Sequence, residues 1–154
     1  MDKTNLMVYF TLYGNEFPLD EVTEALGIQP TESYNKGDEI RHDDNPNFRP
    51  PRPVLRKETA WDISTGYQES YDVSDQLDQI LVLLKGKEAT INRLKEKYDL
   101  ECQFSIVIIM ERGYTPGFHL EKEHITFANS IGAEFDIDLY ANPYEDHNDE
   151  LESL

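Results

Sequence analysis

A single cysteine, Cys102, stands among the 154 residues, so no internal disulfide can form. With no export signal in view, a reducing cytoplasm is the expected compartment. Long apolar runs are also missing. None is longer than Ile106 to Met110, far short of the ~20 residues that a membrane-spanning helix needs. Met1-Asp2-Lys3-Thr4-Asn5 has no basic region feeding an apolar stretch, and no signal peptide is expected. Bases are scarce, 14 lysines and arginines against 31 acids, for a net charge of −17. Such a field repels nucleic acid phosphates and anionic membranes. Neither is an expected partner, whereas a basic protein is the partner that charge favours. No glycine-rich phosphate loop, dinucleotide fingerprint, serine elbow, paired helical histidines or Cys/His zinc spacing occurs. The expectation is no cofactor, and it leans away from an enzyme.

Enough apolar material remains for a core, 38% of residues, and the length suits one domain. Met7 to Tyr13 reads as a strand, with Val8, Phe10 and Leu12 on one face and Tyr9, Thr11 and Tyr13 on the other. Pro18 suits a helix start, Leu19, Val22 and Leu26 mark its buried stripe, and Gly27 supplies its stop. Lys36-Gly37-Asp38 looks like a turn. Thr59 to Thr65 alternates Thr59, Trp61 and Ile63 against Ala60, Asp62 and Ser64. Val73, Leu77, Ile80, Leu81 and Leu84 keep helical one-face spacing, with Asp72 or Ser74 as the cap. After Gly86, Glu88 to Tyr98 makes a second helix burying Ile91, Leu94 and Tyr98. Glu101 to Glu111 is apolar on both faces and reads as a central strand. Leu120 to Ile131 is expected to be a helix with Ile125, Ala128 and Ile131 inward. Glu134 to Tyr140 is expected to be a strand with Phe135, Ile137 and Leu139 inward.

This order implies an α+β fold, a mostly antiparallel sheet of about five strands with helices packed on one face. Strand, glycine turn and helix recur around Leu19–Gly27 and Leu120–Gly132, which suggests two βα-type halves. Residues 1–140 form the expected domain and 141–154 a disordered acidic tail. Within the domain, Arg41 to Lys57 packs in four prolines and five bases. Proline at that density breaks helices and strand ladders, so a long loop is expected there.

Tyr9-Phe10, Gly14, Leu19-Asp20-Glu21, Leu26-Gly27-Ile28, Pro30-Thr31, Lys36-Gly37-Asp38, Trp61, Pro116-Gly117-Phe118-His119-Leu120 and Asp136-Ile137-Asp138-Leu139-Tyr140 come in a characteristic order. From about Met7 to Tyr140 that order resembles the bacterial domain of unknown function family 4279 (DUF4279). The resemblance implies a small stand-alone bacterial α+β protein, and brings neither an activity nor site residues.

Two functional readings are carried forward. The first is a non-catalytic acidic module that binds a basic protein, an antitoxin-like or immunity role drawn by charge analogy. The second is a small-molecule-binding domain or enzyme, with a pocket between the basic loop and the sheet. Tyr34, Lys36, Arg56, Trp61 and His119 are the candidate lining. The guanidinium groups of Arg49, Arg52 and Arg56 suit carboxylates or phosphates. Glu134, Asp136 and Asp138 project from one strand face about 6.5–7 Å apart. Carboxylates so spaced are weak metal candidates, and they are also what a solvated face looks like. Nothing else in the sequence supplies the remaining ligands, so no metal is expected. Cys102 reads as a small core residue.

Overall fold

The computed structural model describes residues 3–40 and 51–142. The alternation of β1 (Asn5–Gly14) sends Leu6, Val8, Phe10 and Leu12 into the core and Met7, Tyr9, Thr11 and Tyr13 to the opposite face. Helix α1 (Leu19–Leu26) begins after Pro18 and ends at Gly27, whose φ of 68° is the left-handed stop that a side chain resists. It buries Val22 and Leu26. Strands β2 (Glu32–Tyr34), β3 (Thr59–Ser64) and β4 (Gln68–Glu69) come next. In helix α2 (Val73–Leu84) the carboxylate of Asp72 accepts the Ser74 N–H at 3.0 Å, so Asp72 is the cap. Then come α3 (Glu88–Tyr98), β5 (Glu101–Met110), α4 (Lys122–Ser130) and β6 (Glu134–Ala141).

The sheet runs β2-β3-β1-β5-β6, with β4 extending the β1 pairing. Every pairing is antiparallel except β5–β6, which is parallel because α4 carries the chain back across the sheet. The fold is therefore the expected α+β class. Strands β1 and β5 of the two strand–helix units lie side by side, but the units continue differently. β6 pairs with β5, whereas β2 pairs with β3. Helices cover one face of the sheet. Trp61, Phe10 and Phe104 are fully buried beneath them, with Leu77, Ile80, Leu84 and Ile91. Phe104 lies 5.1 Å from Phe10 and 5.4 Å from Phe135, centroid to centroid. Truncating a phenylalanine so enclosed costs about 3–5 kcal/mol.

Three expectations need correction. α4 starts at Lys122 rather than Leu120; Ala128 and, at its C-cap, Ile131 are buried as expected, but Ile125 is 52% exposed and His124 and Phe127 turn inward instead. The true stripe is set by a histidine that finds polar partners in the core, which an apolar periodicity cannot register. On β6 only Phe135 is half buried, and Ile137 and Leu139 are 42% and 62% exposed. They do point to the helix side, in register with Ile106 and Ile108, but β6 is the sheet's last strand and only its start is covered.

The third correction concerns Arg41–Lys57. Its final residues are a ribbon rather than open loop. Glu39 bridges Leu55, the Ile40 N–H donates to the Val54 carbonyl at 2.8 Å, and the Arg56 N–H donates to the Asp38 carbonyl at 2.7 Å. The Lys36–Gly37 turn closes it, the Gly37 N–H donating to the Arg56 carbonyl at 2.9 Å. Arg41 to Pro50, and with them Arg49, lie outside the described residues, as does the tail from residue 143. Sheet structure continues to Ala141, where the Asn142 N–H reaches the Met110 carbonyl. No helix among the described residues is long and apolar enough to cross a membrane.

Candidate functional site

The face of the sheet turned away from the helices holds a trough of about 600 Å³. Its floor is the outward register of β1 and β3, namely Tyr9, Thr11 and Tyr13 beside Asp62 and Ser64. Tyr34 of β2, Glu32, Glu58 and Arg56 of the ribbon make one wall, and Gln103 of β5 extends the other side. Strand pleating explains the composition. β1 sends Leu6, Val8, Phe10 and Leu12 to the core and Tyr9, Thr11 and Tyr13 to this face, and β3 sends Trp61 and Ile63 to the core and Asp62 and Ser64 here.

Charge in the trough is lopsided. Among the described residues, Glu32, Glu58 and Asp62 face one base, Arg56. That base is already engaged, its guanidinium 3.9 Å from the centroid of the Tyr34 ring and 3.7 Å from a Glu32 oxygen. Asp62 is the least solvated of the acids. Its Oδ1 is buried without a hydrogen-bond partner. Burial pushes its carboxyl up to about 6, Glu32 adds to the rise, and the Thr11 hydroxyl and Arg56 oppose it. Burial also raises the Tyr34 phenol, with Asp62 adding and Arg56 opposing. The Tyr13 phenol rises through burial and through Glu101, Glu58 and Glu134.

Of the expected lining, Tyr34 and Arg56 come together here. The others lie elsewhere. Trp61 is on the opposite face of β3, fully buried, its indole N–H donating to Thr23 Oγ1 at 3.0 Å. Lys36 lines a separate cleft with Phe17 and Pro18, and its Nζ donates to Asn15 Oδ1 at 2.7 Å. His119 is exposed beside the first turn of α2, where its carbonyl accepts the Ser74 hydroxyl at 3.1 Å. Arg52 is exposed outside the trough. Cys102 is buried, its thiol pushed up by desolvation and set 3.3 Å from the Ile131 carbonyl. Glu134, Asp136 and Asp138 line the open side of β6, and no group of three or more His, Cys, Asp or Glu among the described residues is arranged to hold a metal ion.

Sequence reasoning passed over Tyr9, Tyr13, Glu58 and Asp62. The signal was available in β1, where tyrosines occupy the non-core register of a strand whose other register is wholly aliphatic or aromatic. Tyr9 and Tyr13 are both half buried on that face.

A one-layer helix cover over a mostly antiparallel sheet, with a polar, tyrosine-lined trough on the free face, defines a small α+β domain with a candidate ligand-binding surface. The chain belongs to the DUF4279 family, a domain of unknown function whose sequence profile matches residues 2–142. Among curated proteins and among solved structures nothing matches it.

Proposed function

We propose that the protein is a small-molecule-binding domain whose ligand is an organic cation, a protonated amine, held in the trough on the open face. The observation that carries this reading is Asp62, a poorly solvated carboxyl in a site whose one base among the described residues, Arg56, is spent on Tyr34 and Glu32. Among the described residues, an anionic ligand would meet three carboxylates there and no free base. An ammonium supplies the missing positive charge, and Tyr9 and Tyr13, which line the same trough, carry rings that attract a cation. The reading is of binding rather than catalysis.

The test is isothermal titration of the protein with benzylamine, benzyl alcohol and benzoate, three probes alike in ring and different in charge. Benzylamine should bind, and Asp62→Asn should weaken it by about tenfold or more. Glu96→Gln on the exposed side of α3, with the same change in charge, should leave it unaltered. Benzoate binding as tightly as benzylamine, or equal loss in both variants, refutes the reading.

A further inference from the structure

β6 ends the sheet, and no strand among the described residues pairs with its outer side. Eight residues, about 26 Å of strand, therefore present one row of backbone donors and acceptors outward. The two faces of that edge differ sharply. Toward the open side stand Glu134, Asp136 and Asp138, all exposed. Their in-register neighbours on β5 are Gln103, Ser105 and Val107, none of which carries a charge to offset them. Toward the helix side stand Ile137 and Leu139, also exposed, where the helix layer stops short of the end of the strand. Buried apolar side chains stabilise a sheet, and these two contribute little as they stand.

We propose that the outer edge of β6 is a docking site for an extended segment of another protein that alternates basic and apolar residues, added as a further strand. This inference is independent of the trough. Strand addition satisfies the free backbone groups, while side chains of alternate parity meet the two faces. A basic residue on one parity lies against the carboxylates, and an apolar one on the other covers Ile137 and Leu139. Cross-strand opposite charges stabilise such a pair and like charges oppose it.

The same acids argue against other occupants. A second copy paired antiparallel about Ile137 sets Asp136 of one chain against Asp138 of the other. The segment after β6, residues 143–154, carries five acids and no lysine or arginine, so it matches the acidic face in sign. Charge complementarity selects a basic strand.

The probe is a short blocked peptide alternating lysine and valine, labelled and titrated into the full chain at physiological salt. Two controls share its composition, one with the lysines and valines in separate blocks, one with alternate backbone nitrogens methylated. The alternating peptide should bind about tenfold tighter than either. Amides of β6 should then gain protection from hydrogen exchange. Asp136→Asn with Asp138→Asn should weaken it about tenfold, and the charge-matched Asp20→Asn with Glu24→Asn on α1 should not. Equal binding of all three peptides reduces the effect to net charge and overturns the proposal, as does no binding. A dimer that seals β6, or β6 amides already protected in the free monomer by the chain's own tail, also overturns it.

Discussion

The Arg56 guanidinium lies over the Tyr34 ring, 3.9 Å from its centroid, and this contact joins the ribbon after the proline-rich stretch to the outermost strand of the sheet. Arg56 is otherwise held by backbone pairing to Asp38 and by Glu32 at 3.7 Å. Because both partners are half buried rather than solvated, the stacking should be measurable. A double-mutant cycle with Arg56→Met and Tyr34→Leu, read by urea denaturation, is expected to give a coupling energy of about 0.5–1 kcal/mol. Additive single changes would mean that the ribbon stays in place without the contact.

Asp62 should make stability fall with pH over a defined window. Its carboxyl is raised from 3.8 to about 6 in the folded chain. Between those values the native state holds a proton that the unfolded chain has released, so the contribution is full below the lower value and is lost through the upper one. Asp62→Asn cannot titrate. Relative to the parent it should be no more stable at pH 4, and more stable at pH 7 by about 1–2 kcal/mol after allowance for solvent screening. Parallel stability curves for the two proteins across that window would show that Asp62 ionises as freely folded as unfolded.

Asp72 should stabilise α2 through one bond. Its carboxylate accepts the Ser74 N–H at the start of the helix. Asp72→Ala should cost about 1 kcal/mol, and Asp72→Asn much less, since the amide oxygen can accept the same N–H. Thermal unfolding of the two variants checks this, and equal losses would mean that the bond to the Ser74 N–H is not what Asp72 contributes.

The elements that local chemistry controls were legible in the sequence. Gly27 stops α1, Asp72 starts α2, and the alternation of Val8, Phe10 and Leu12 names the core face of β1. The features that could not be read depend on which strands become neighbours. Ile137 and Leu139 share the alternation of a buried strand, and only the position of β6 at the end of the sheet leaves them exposed. Asp62 is an ordinary outward residue along its own strand. It becomes a half-buried acid in the trough, where Thr11, Glu32 and Arg56 from three other segments act on its carboxyl. Trp61 shows the reverse, a residue considered for a pocket whose indole N–H is satisfied instead by Thr23 of α1.

His124 is the residue whose role sequence periodicity concealed most completely, and its removal should be the costliest polar change in the fold. It is 1% exposed. Its Nδ1 accepts the Glu121 N–H at 3.0 Å, closing the first turn of α4, and its Nε2 lies 2.6 Å from Asp78 Oδ1 on α2. An acceptor on Nδ1 places the ring proton on Nε2, where it donates to the carboxylate. One side chain thus ends the orphan state of a helix-terminal N–H and links two helices. His124→Ala leaves a void, an unsatisfied N–H and an unpaired Asp78, and should cost about 2–4 kcal/mol. Asp78→Asn should cost about 1 kcal/mol or less, because the Asp78 side chain is 57% exposed and its amide oxygen still accepts. His124→Gln, which can offer an acceptor near the same N–H, should recover part of the loss. Urea denaturation of the three variants separates these terms. A His124→Ala protein within about 0.5 kcal/mol of the parent would mean that α4 holds its place by Phe127, Ala128 and Ile131 alone.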